Sequence, residues 1–331
     1  MPSAPTAAAA AGLDASRVSG DNRYATAAAI ADAGWTSPLP SGSTLLLATG
    51  ANYPDAVAGA AAAGHLGVPL LLTANSELSP DAAAEISRLR PETVALLGGA
   101  ATLSAAVSDQ VSALGVKTTR WAGANRYDTA AKVSQATYPD GATNVYLATG
   151  AAFPDALAGA ALAAVVGGPL LLTDPKTLPP ETAAELARLH PSAVVVLGGT
   201  SAVSDDVAAA AVAAGGGAQL SRLQGADRYQ TADQVANVLV QVHGGTSASG
   251  GVLVATGLDF ADALAGASWG GATDRPLLLV PGPYVSPQTW QTMQTLHAPS
   301  VVVIGGEHAV SEAVLSGFRS GSPPTSPGAG S

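Results

Sequence analysis

The chain has 331 residues, a formal charge of −10 and no cysteine. An acidic surface disfavours nucleic acid or an anionic membrane as the main partner, and the absence of cysteine excludes disulfides, thiolate metal sites and a cysteine nucleophile. No apolar run approaches the roughly 20 residues of a membrane-spanning helix. Nearly half of the residues are apolar but only 4% are aromatic, so we expect a core built by close contact of small side chains.

The two ends of the chain differ from the rest in composition. Residues 1–14 are rich in Ala and Pro, and we expect them to form a disordered tail. Small residues of this kind are found beside signal-peptide cleavage sites, so we interpret the start as the mature or trimmed terminus of a secreted protein. Residues 320–331 are rich in Pro, Gly and Ser and are predicted to form a linker-like tail.

One motif is written three times between these ends. Its copies read TLLLATGANYPDAVAGA, VYLATGAAFPDALAGA and GVLVATGLDFADALAGA, with the turn glycine at Gly50, Gly150 and Gly257. The steps of 100 and 107 residues are too long for a solenoid unit and suit a small domain. The sequence therefore predicts three tandem repeats, at 15–115, 116–217 and 218–319.

Each repeat presents the same predicted elements in the same order. It opens with Arg-x-x-Gly and a helix capped by Asn22, Asn125 or Asp227. An apolar strand follows, then the ATG turn, the DALAGA helix, a second strand, a third helix, a strand ending in Gly-Gly, and a final helix. Short strands without polar alternation, separated by helices, indicate a parallel sheet covered on both faces. We expect an α/β fold of three Rossmann/flavodoxin-like three-layer repeats.

The boundary between repeats is open in the sequence. The stretches at 116–120 and 218–222 could each end one repeat or begin the next, and after repeat three Val314–Arg319 is only a poor equivalent. A monomer whose repeats pack about an internal pseudo-threefold axis is therefore one hypothesis. In that arrangement the small-residue DALAGA helices would be the elements in close contact.

The turn after the first buried strand supplies one set of candidate ligand-binding residues. Its carboxylates are Asp55, Asp155 and Asp262. They lie at the carboxyl end of a parallel strand and at a helix N-terminus, where α/β sheets usually place ligands. A carboxylate that only satisfies the helix N-terminus is the alternative interpretation.

Six arginines, of only 14 basic residues in the chain, recur at two positions of the repeat opening: Arg17, Arg120 and Arg222, and six residues later Arg23, Arg126 and Arg228. The second set stands in the first turn of a helix, where the helix dipole disfavours a cation by roughly 0.3–1 kcal/mol, so a partner is expected. That partner is either the Asp of the PDA turn, in a bidentate pair, or a phosphate or carboxylate on a polymer. The adjacent Tyr24, Tyr127 and Tyr229 could stack on sugar rings or serve only in packing.

Taken together, these motifs resemble the cell wall-binding repeat 2 family. The resemblance rests on Arg-x-x-Gly-x-(Asn/Asp)-Arg-Tyr-x-Thr-Ala, on ATGxx(Tyr/Phe)PDALAGA, on the Gly-x-Pro-Leu-Leu-Leu-Thr strand and on the strand ending in Gly-Gly, over about residues 15–318. The third copy departs most, with Ala261, Asp274 and Val280 in place of Pro, Gly and Thr. This departure brings equal ligand binding by all three copies into question.

The resemblance implies a noncatalytic module of three copies, arranged as a pseudo-trimer, that binds anionic polysaccharide of Gram-positive walls. Three weak sites would give useful avidity. We expect no catalytic residue, cofactor or metal. The alternatives are an accessory module of a peptidoglycan hydrolase such as an amidase, and a structural or adhesive module that contacts protein partners.

Overall fold

The computed structural model describes residues 12–242, 250–322 and 324. The two predicted tails lie mostly outside these residues. One part of that prediction is wrong, because Leu13 and Asp14 are ordered. The Leu13 amide donates a hydrogen bond to the Phe318 carbonyl at 2.9 Å, and Asp14 begins the first strand.

The first third of the chain forms strands and helices in strict alternation. Ser79 and Asn22 cap two of its helices with their side chains, as their residue types favour. The elements are β1 (Asp14–Val18), α1 (Arg23–Gly34), β2 (Thr44–Thr49), α2 (Pro54–Leu66), β3 (Leu70–Thr73), α3 (Pro80–Leu89), β4 (Thr93–Leu97), α4 (Ala105–Ala113) and β5 (Lys117–Trp121).

The remaining two thirds repeat this order. The second set is α5 (Arg126–Thr137), β6 (Asn144–Thr149), α6 (Pro154–Val166), β7 (Leu170–Thr173), α7 (Pro180–Leu189), β8 (Ala193–Leu197), α8 (Asp205–Ala214) and β9 (Gln219–Leu223). The third is α9 (Arg228–Val242), β10 (Val252–Thr256), α10 (Ala261–Ala272), β11 (Leu277–Val280), α11 (Pro287–Thr295), β12 (Ser300–Ile304) and α12 (Glu312–Ser320).

The strands form three four-stranded sheets in which every pairing is parallel. The orders are β3-β2-β4-β5, β7-β6-β8-β9 and β11-β10-β12-β1. The inner strands are buried on both faces, as their continuous Leu and Val runs predict. The predicted α/β class with parallel sheets is therefore confirmed.

The edge strands answer the question that the sequence left open. Strands β5 and β9 complete the sheet of the preceding repeat, because they pair with β4 and β8. The third sheet has no strand after β12 among the described residues, since α12 occupies residues 312–320. Strand β1, from the beginning of the chain, pairs with β12 instead. The first and third repeats are thereby joined through one sheet.

The three DALAGA helices, α2, α6 and α10, contact one another. Each also contacts the opening helix of another repeat, in the pairs α2 with α5, α6 with α9, and α10 with α1. Small residues permit the closest approach, because a Cβ added at Gly271 would lie 2.4 Å from Ala164 Cβ and 3.1 Å from Gly64 Cα. One buried hydrophobic cluster accordingly includes side chains of all three repeats.

Candidate functional site

Two polar clefts lie where one repeat meets the next, at the carboxyl ends of the strands. The first cleft has a volume of about 290 Å³ and the second about 220 Å³. The first is lined by Asn52, Pro54, Asp55, Gly99, Ala101 and Thr102 of repeat one and by Gly123, Ala124, Asn125, Arg126 and Thr129 of repeat two. The second is lined by Ala152, Pro154, Asp155, Gly199, Ser201, Ala202, Gly225, Ala226, Asp227, Arg228 and Thr231.

Arg126 and Arg228 are held in these clefts from one side. Arg126 Nη1 donates a hydrogen bond to the Gly150 carbonyl, and Arg228 Nη1 donates to the Gly257 carbonyl at 2.7 Å. Each acceptor belongs to the ATG turn of the arginine's own repeat. One edge of the guanidinium is thereby fixed, while the side chain lines the cleft shared with the preceding repeat.

Arg23 makes the corresponding bond to the Gly50 carbonyl at 2.5 Å. Its Nη2 also lies 3.4 Å from Asp259 Oδ2 of repeat three, and its guanidinium carbon lies 5.5 Å from the centre of the Phe260 ring. We call this junction the third boundary and define it by Arg23, Asp259, Phe260 and Asp262.

The other three arginines hold the Gly-Gly turns. The Nη1 atoms of Arg17 and Arg120 donate to the carbonyls of Gly305 and Gly98 at 2.6 Å, and Arg222 Nη1 donates to the Gly198 carbonyl at 2.9 Å. Arg17 is also 3.5 Å from Glu312, and Arg222 is 3.0 Å from Asp205. These side chains therefore fasten each edge strand to the neighbouring strand's turn.

The PDA carboxylates approach the Gly-Gly turn of their own repeat. Gly98 has a φ of +95°, and a Cβ added there would lie 2.4 Å from Asp55 Oδ2. Gly198 and Gly305 are placed in the same way against Asp155 and Asp262. Glycine is required at this position both by the backbone conformation and by the close carboxylate.

Burial raises the pKa of two of these carboxylates. It raises the pKa of Asp155, while Thr231 and Arg228 oppose the shift. It also raises the pKa of Asp262, to about 6, with a further contribution from Asp259 and with Arg23 acting in the opposite direction. Asp155 of repeat two interacts with Arg228 of repeat three, and Asp262 of repeat three interacts with Arg23 of repeat one. In both cases the carboxylate and the guanidinium interact across a repeat boundary.

The predicted bidentate pairs between arginine and PDA carboxylate are absent from the ion pairs of residues 12–242 and 250–322. The ion-paired arginines of the repeat openings contact Glu312, Asp205 and Asp259 instead. The physical reason is that backbone carbonyls of the Gly-containing turns lie nearer and accept from Nη1 in every copy. The prediction that the arginines pair with the PDA-turn carboxylates is therefore wrong, because their partners are backbone carbonyls.

The three tyrosines lie against the ATG turns. A Cβ added at Gly50 would lie 2.6 Å from Tyr24 Cε1. A Cβ added at Gly150 would lie 2.8 Å from Tyr127 Cε1, and one added at Gly257 would lie 2.7 Å from Tyr229 Cε1. All three side chains are partly buried, and burial raises the pKa of Tyr127 and Tyr229. Their observed contacts are those of packing residues.

A trio of half-buried aromatic rings lies where the N-termini of α2, α6 and α10 converge. The ring centres of Tyr53, Phe153 and Phe260 are 5.4 to 6.1 Å apart. The sequence showed the repeated aromatic residue, but nothing in the sequence placed the three together. It likewise did not indicate that Gly99, Thr102 and Asn125 share a cleft, because they come from different repeats.

The fold and the two clefts define a tandem-repeat binding protein. The family model for cell wall binding domain 2 (CWB2) matches residues 17–108, 120–208 and 222–315. The chain therefore belongs to the CWB2 family and is a cell wall-binding module.

Two curated relatives come from Bacillus subtilis (strain 168). The chain is 30% identical over 304 residues to N-acetylmuramoyl-L-alanine amidase LytC, and the match covers 92% of this chain and 58% of the relative. It is 27% identical over 264 residues to a protein named amidase enhancer, covering 80% of this chain and 34% of the relative. The chain thus spans about half or less of these relatives' length.

Two solved structures from Clostridium difficile share the fold. Cwp6 superposes with a TM-score of 0.82 at 22% identity, covering 94% of this chain and 48% of that one. Cwp8 superposes with a TM-score of 0.79 at 21% identity, covering 93% and 52%. Within the described residues, no helix is both long and apolar enough to cross a bilayer.

Proposed function

We propose that this module holds a secreted surface protein noncovalently on the Gram-positive cell wall by binding an anionic secondary wall polysaccharide in the clefts between repeats. The observation that carries the proposal is the position of Arg126 and Arg228, each in a cleft with one edge fixed by a backbone carbonyl. A planar guanidinium matches phosphate and carboxylate groups. The module itself is proposed to be noncatalytic.

The acidic charge of the chain is compatible with an anionic ligand if recognition is local. In the first cleft the charged lining residues are one carboxylate, Asp55, and one guanidinium, Arg126. Weak sites on one rigid body act together on a polymer, because binding at one site raises the effective concentration at the next. Binding should therefore be multivalent and weakened by salt.

The same proposal includes a monomer with internal pseudo-threefold symmetry. This symmetry is supported by the contacts between helices of different repeats. Helix α2 contacts α5 of the second repeat, α6 contacts α9 of the third, and α10 contacts α1 of the first. The pairing of β1 with β12 also joins the ends of this order. A monomer of this kind presents all of its clefts at the carboxyl ends of the strands.

An accessory role for a wall hydrolase is the second candidate function. It is favoured by the relatives, since one is named an amidase and the other an amidase enhancer. In that role the module would bind the same wall and keep a hydrolase near its substrate. Release of soluble wall fragments by the purified chain alone would contradict the noncatalytic assignment.

The test is co-sedimentation of the protein with purified Bacillus subtilis sacculi, before and after acid extraction of the secondary polymers, at low and high salt. We expect binding that disappears with the polymers and weakens with salt. Binding that survives extraction would identify peptidoglycan as the ligand. Absence of binding to sacculi from several Gram-positive species would overturn the proposal.

A further inference from the structure

The three repeat junctions differ at one position that faces the cleft arginine. Asn52 lines the first cleft beside Arg126, and Ala152 lines the second beside Arg228. The equivalent residue of repeat three, three positions before the PDA-turn carboxylate, is Asp259. Only this residue is charged, so only the arginine of the third boundary faces a carboxylate at this position.

Asp259 uses this position to hold Arg23. Its Oδ2 lies 3.4 Å from Arg23 Nη2, while its Oδ1 accepts hydrogen bonds from the amides of Phe260 and Ala261 at 2.6 and 3.4 Å. The carboxylate is thus fixed by the backbone and pointed at the guanidinium. Arg23 is also placed over the Phe260 ring, so two contacts from repeat three occupy it.

A second substitution makes the third boundary more acidic. Ala124 and Ala226 line the first and second clefts two residues before the arginine, and the equivalent residue of repeat one is Asp21. By sequence position, the third boundary therefore carries Asp21 in addition to Asp259 and Asp262. The lining of the first cleft contains one carboxylate, Asp55, and the lining of the second contains Asp155 and Asp227. Outside the lining of the first cleft, Asp128 accepts a hydrogen bond from the Ala124 amide and Glu181 accepts one from the Asn125 side chain.

Resting on the proposed function, we propose that the wall polymer places its anionic groups in the first and second clefts, on Arg126 and Arg228, and is excluded from the third boundary, where Asp259 occupies Arg23. An exposed ion pair is weak by itself. Like charges placed together at a binding interface are costly, however, and an anion at the third boundary would have to displace Asp259 from Arg23. The second carboxylate of the second cleft, Asp227, instead accepts hydrogen bonds from the amides of Tyr229 and Gln230. The chain then has two polymer sites in three repeats.

The sharpest test exchanges the deciding residue between junctions. Asp259→Asn keeps the side-chain oxygen that accepts the Phe260 amide and removes the charge, whereas Asn52→Asp places a carboxylate beside Arg126. Both positions are exposed, so neither change should disturb folding. The probe is polymer released by acid from the same sacculi, with affinity measured by isothermal titration calorimetry and folding checked by circular dichroism.

We expect Asn52→Asp to weaken binding by about tenfold and Asp259→Asn to strengthen it by several-fold, because a third site becomes available. Arg126→Ala and Arg228→Ala should each weaken binding by about tenfold or more, the loss of one charge-assisted hydrogen bond. Arg23→Ala should change affinity by less than about twofold. Lys132→Ala, which removes an exposed charge on α5 outside the cleft, is the matched control for net charge.

The outcomes separate this inference from the proposed function. If the wild-type protein does not bind the released polymer, both fail. If it binds and Arg23→Ala weakens binding as much as Arg126→Ala, the three junctions are equivalent, and only the inference is overturned. If Asn52→Asp and Asp259→Asn both leave affinity unchanged, the inference is likewise overturned while wall binding stands.

Discussion

Gly271 in α10 provides the sharpest test of how the three repeats pack. A Cβ at this position would lie 2.4 Å from Ala164 Cβ and 3.1 Å from Gly64 Cα, well inside ordinary contact. Overpacking of this size costs about 1–3 kcal/mol, while replacement of a helical Gly by Ala contributes about 1 kcal/mol in the opposite direction. We therefore expect Gly271→Ala to lower the free energy of unfolding by about 1 kcal/mol.

A double-mutant cycle with Ala164→Gly removes the propensity terms from the comparison. In Ala164→Gly/Gly271→Ala the two methyl groups no longer meet, so the loss should be relieved by a coupling energy of about 1–3 kcal/mol. Urea unfolding followed by circular dichroism provides the four free energies. Additivity within about 0.5 kcal/mol would refute the reasoning, because it would mean that α6 and α10 do not approach each other at these residues.

Three further predictions concern other parts of the fold. Burial raises the pKa of Asp233 to about 7, so the folded chain keeps a proton that the unfolded chain loses between about pH 4 and 7. The free energy of unfolding should therefore fall as the pH rises through that window, by at most about 1.4 kcal/mol per pH unit. Asp233→Asn should flatten this part of the plot of unfolding free energy against pH, measured by urea unfolding. Parallel plots for the two proteins would contradict the prediction. Gly98→Ala should lower the free energy of unfolding by about 1–3 kcal/mol, because φ is +95° and Asp55 Oδ2 would lie 2.4 Å from the added Cβ. Gly99→Ala is the control, because nothing lies within 4 Å of a Cβ added there. An equal loss of stability in both variants would oppose the explanation. Deletion of residues 1–19 removes β1, so amide hydrogen exchange should accelerate in Ser300–Ile304 more than in Thr93–Leu97. An equal acceleration in the two strands would show that β1 does not protect β12.

The elements of each repeat could be predicted because their signals are local. The Leu and Val runs, the capping residues Asn22 and Asn125 and the Gly-Gly turns each act over a few residues, and their threefold repetition makes the pattern secure. In the first repeat the predicted apolar strand before the ATG turn is Thr44–Thr49, and the predicted strand that ends in Gly-Gly is Thr93–Leu97. Family membership followed from the same local motifs.

The partners of the repeated charged residues could not be predicted in this way. Arg126 and Asp55 are separated by most of a repeat in the sequence but share a cleft, and Arg23 meets Asp259 from the other end of the chain. The sequence left the partner of the arginines open between the PDA-turn carboxylate and an anion of a polymer, whereas the tertiary structure gave the arginines backbone carbonyls as first partners.

The sequence by itself thus determined that this chain forms three α/β repeats with parallel sheets, because hydrophobic period, capping and turn chemistry are properties of short segments. Only the tertiary structure decided that β1 completes the third sheet and that each cleft is formed by two repeats. The reason is that every repeat carries the same edges and helix faces, so the local pattern is equally compatible with several partners. The choice between them depends on long-range packing, in which the small side chains of α2, α6 and α10 permit one close arrangement.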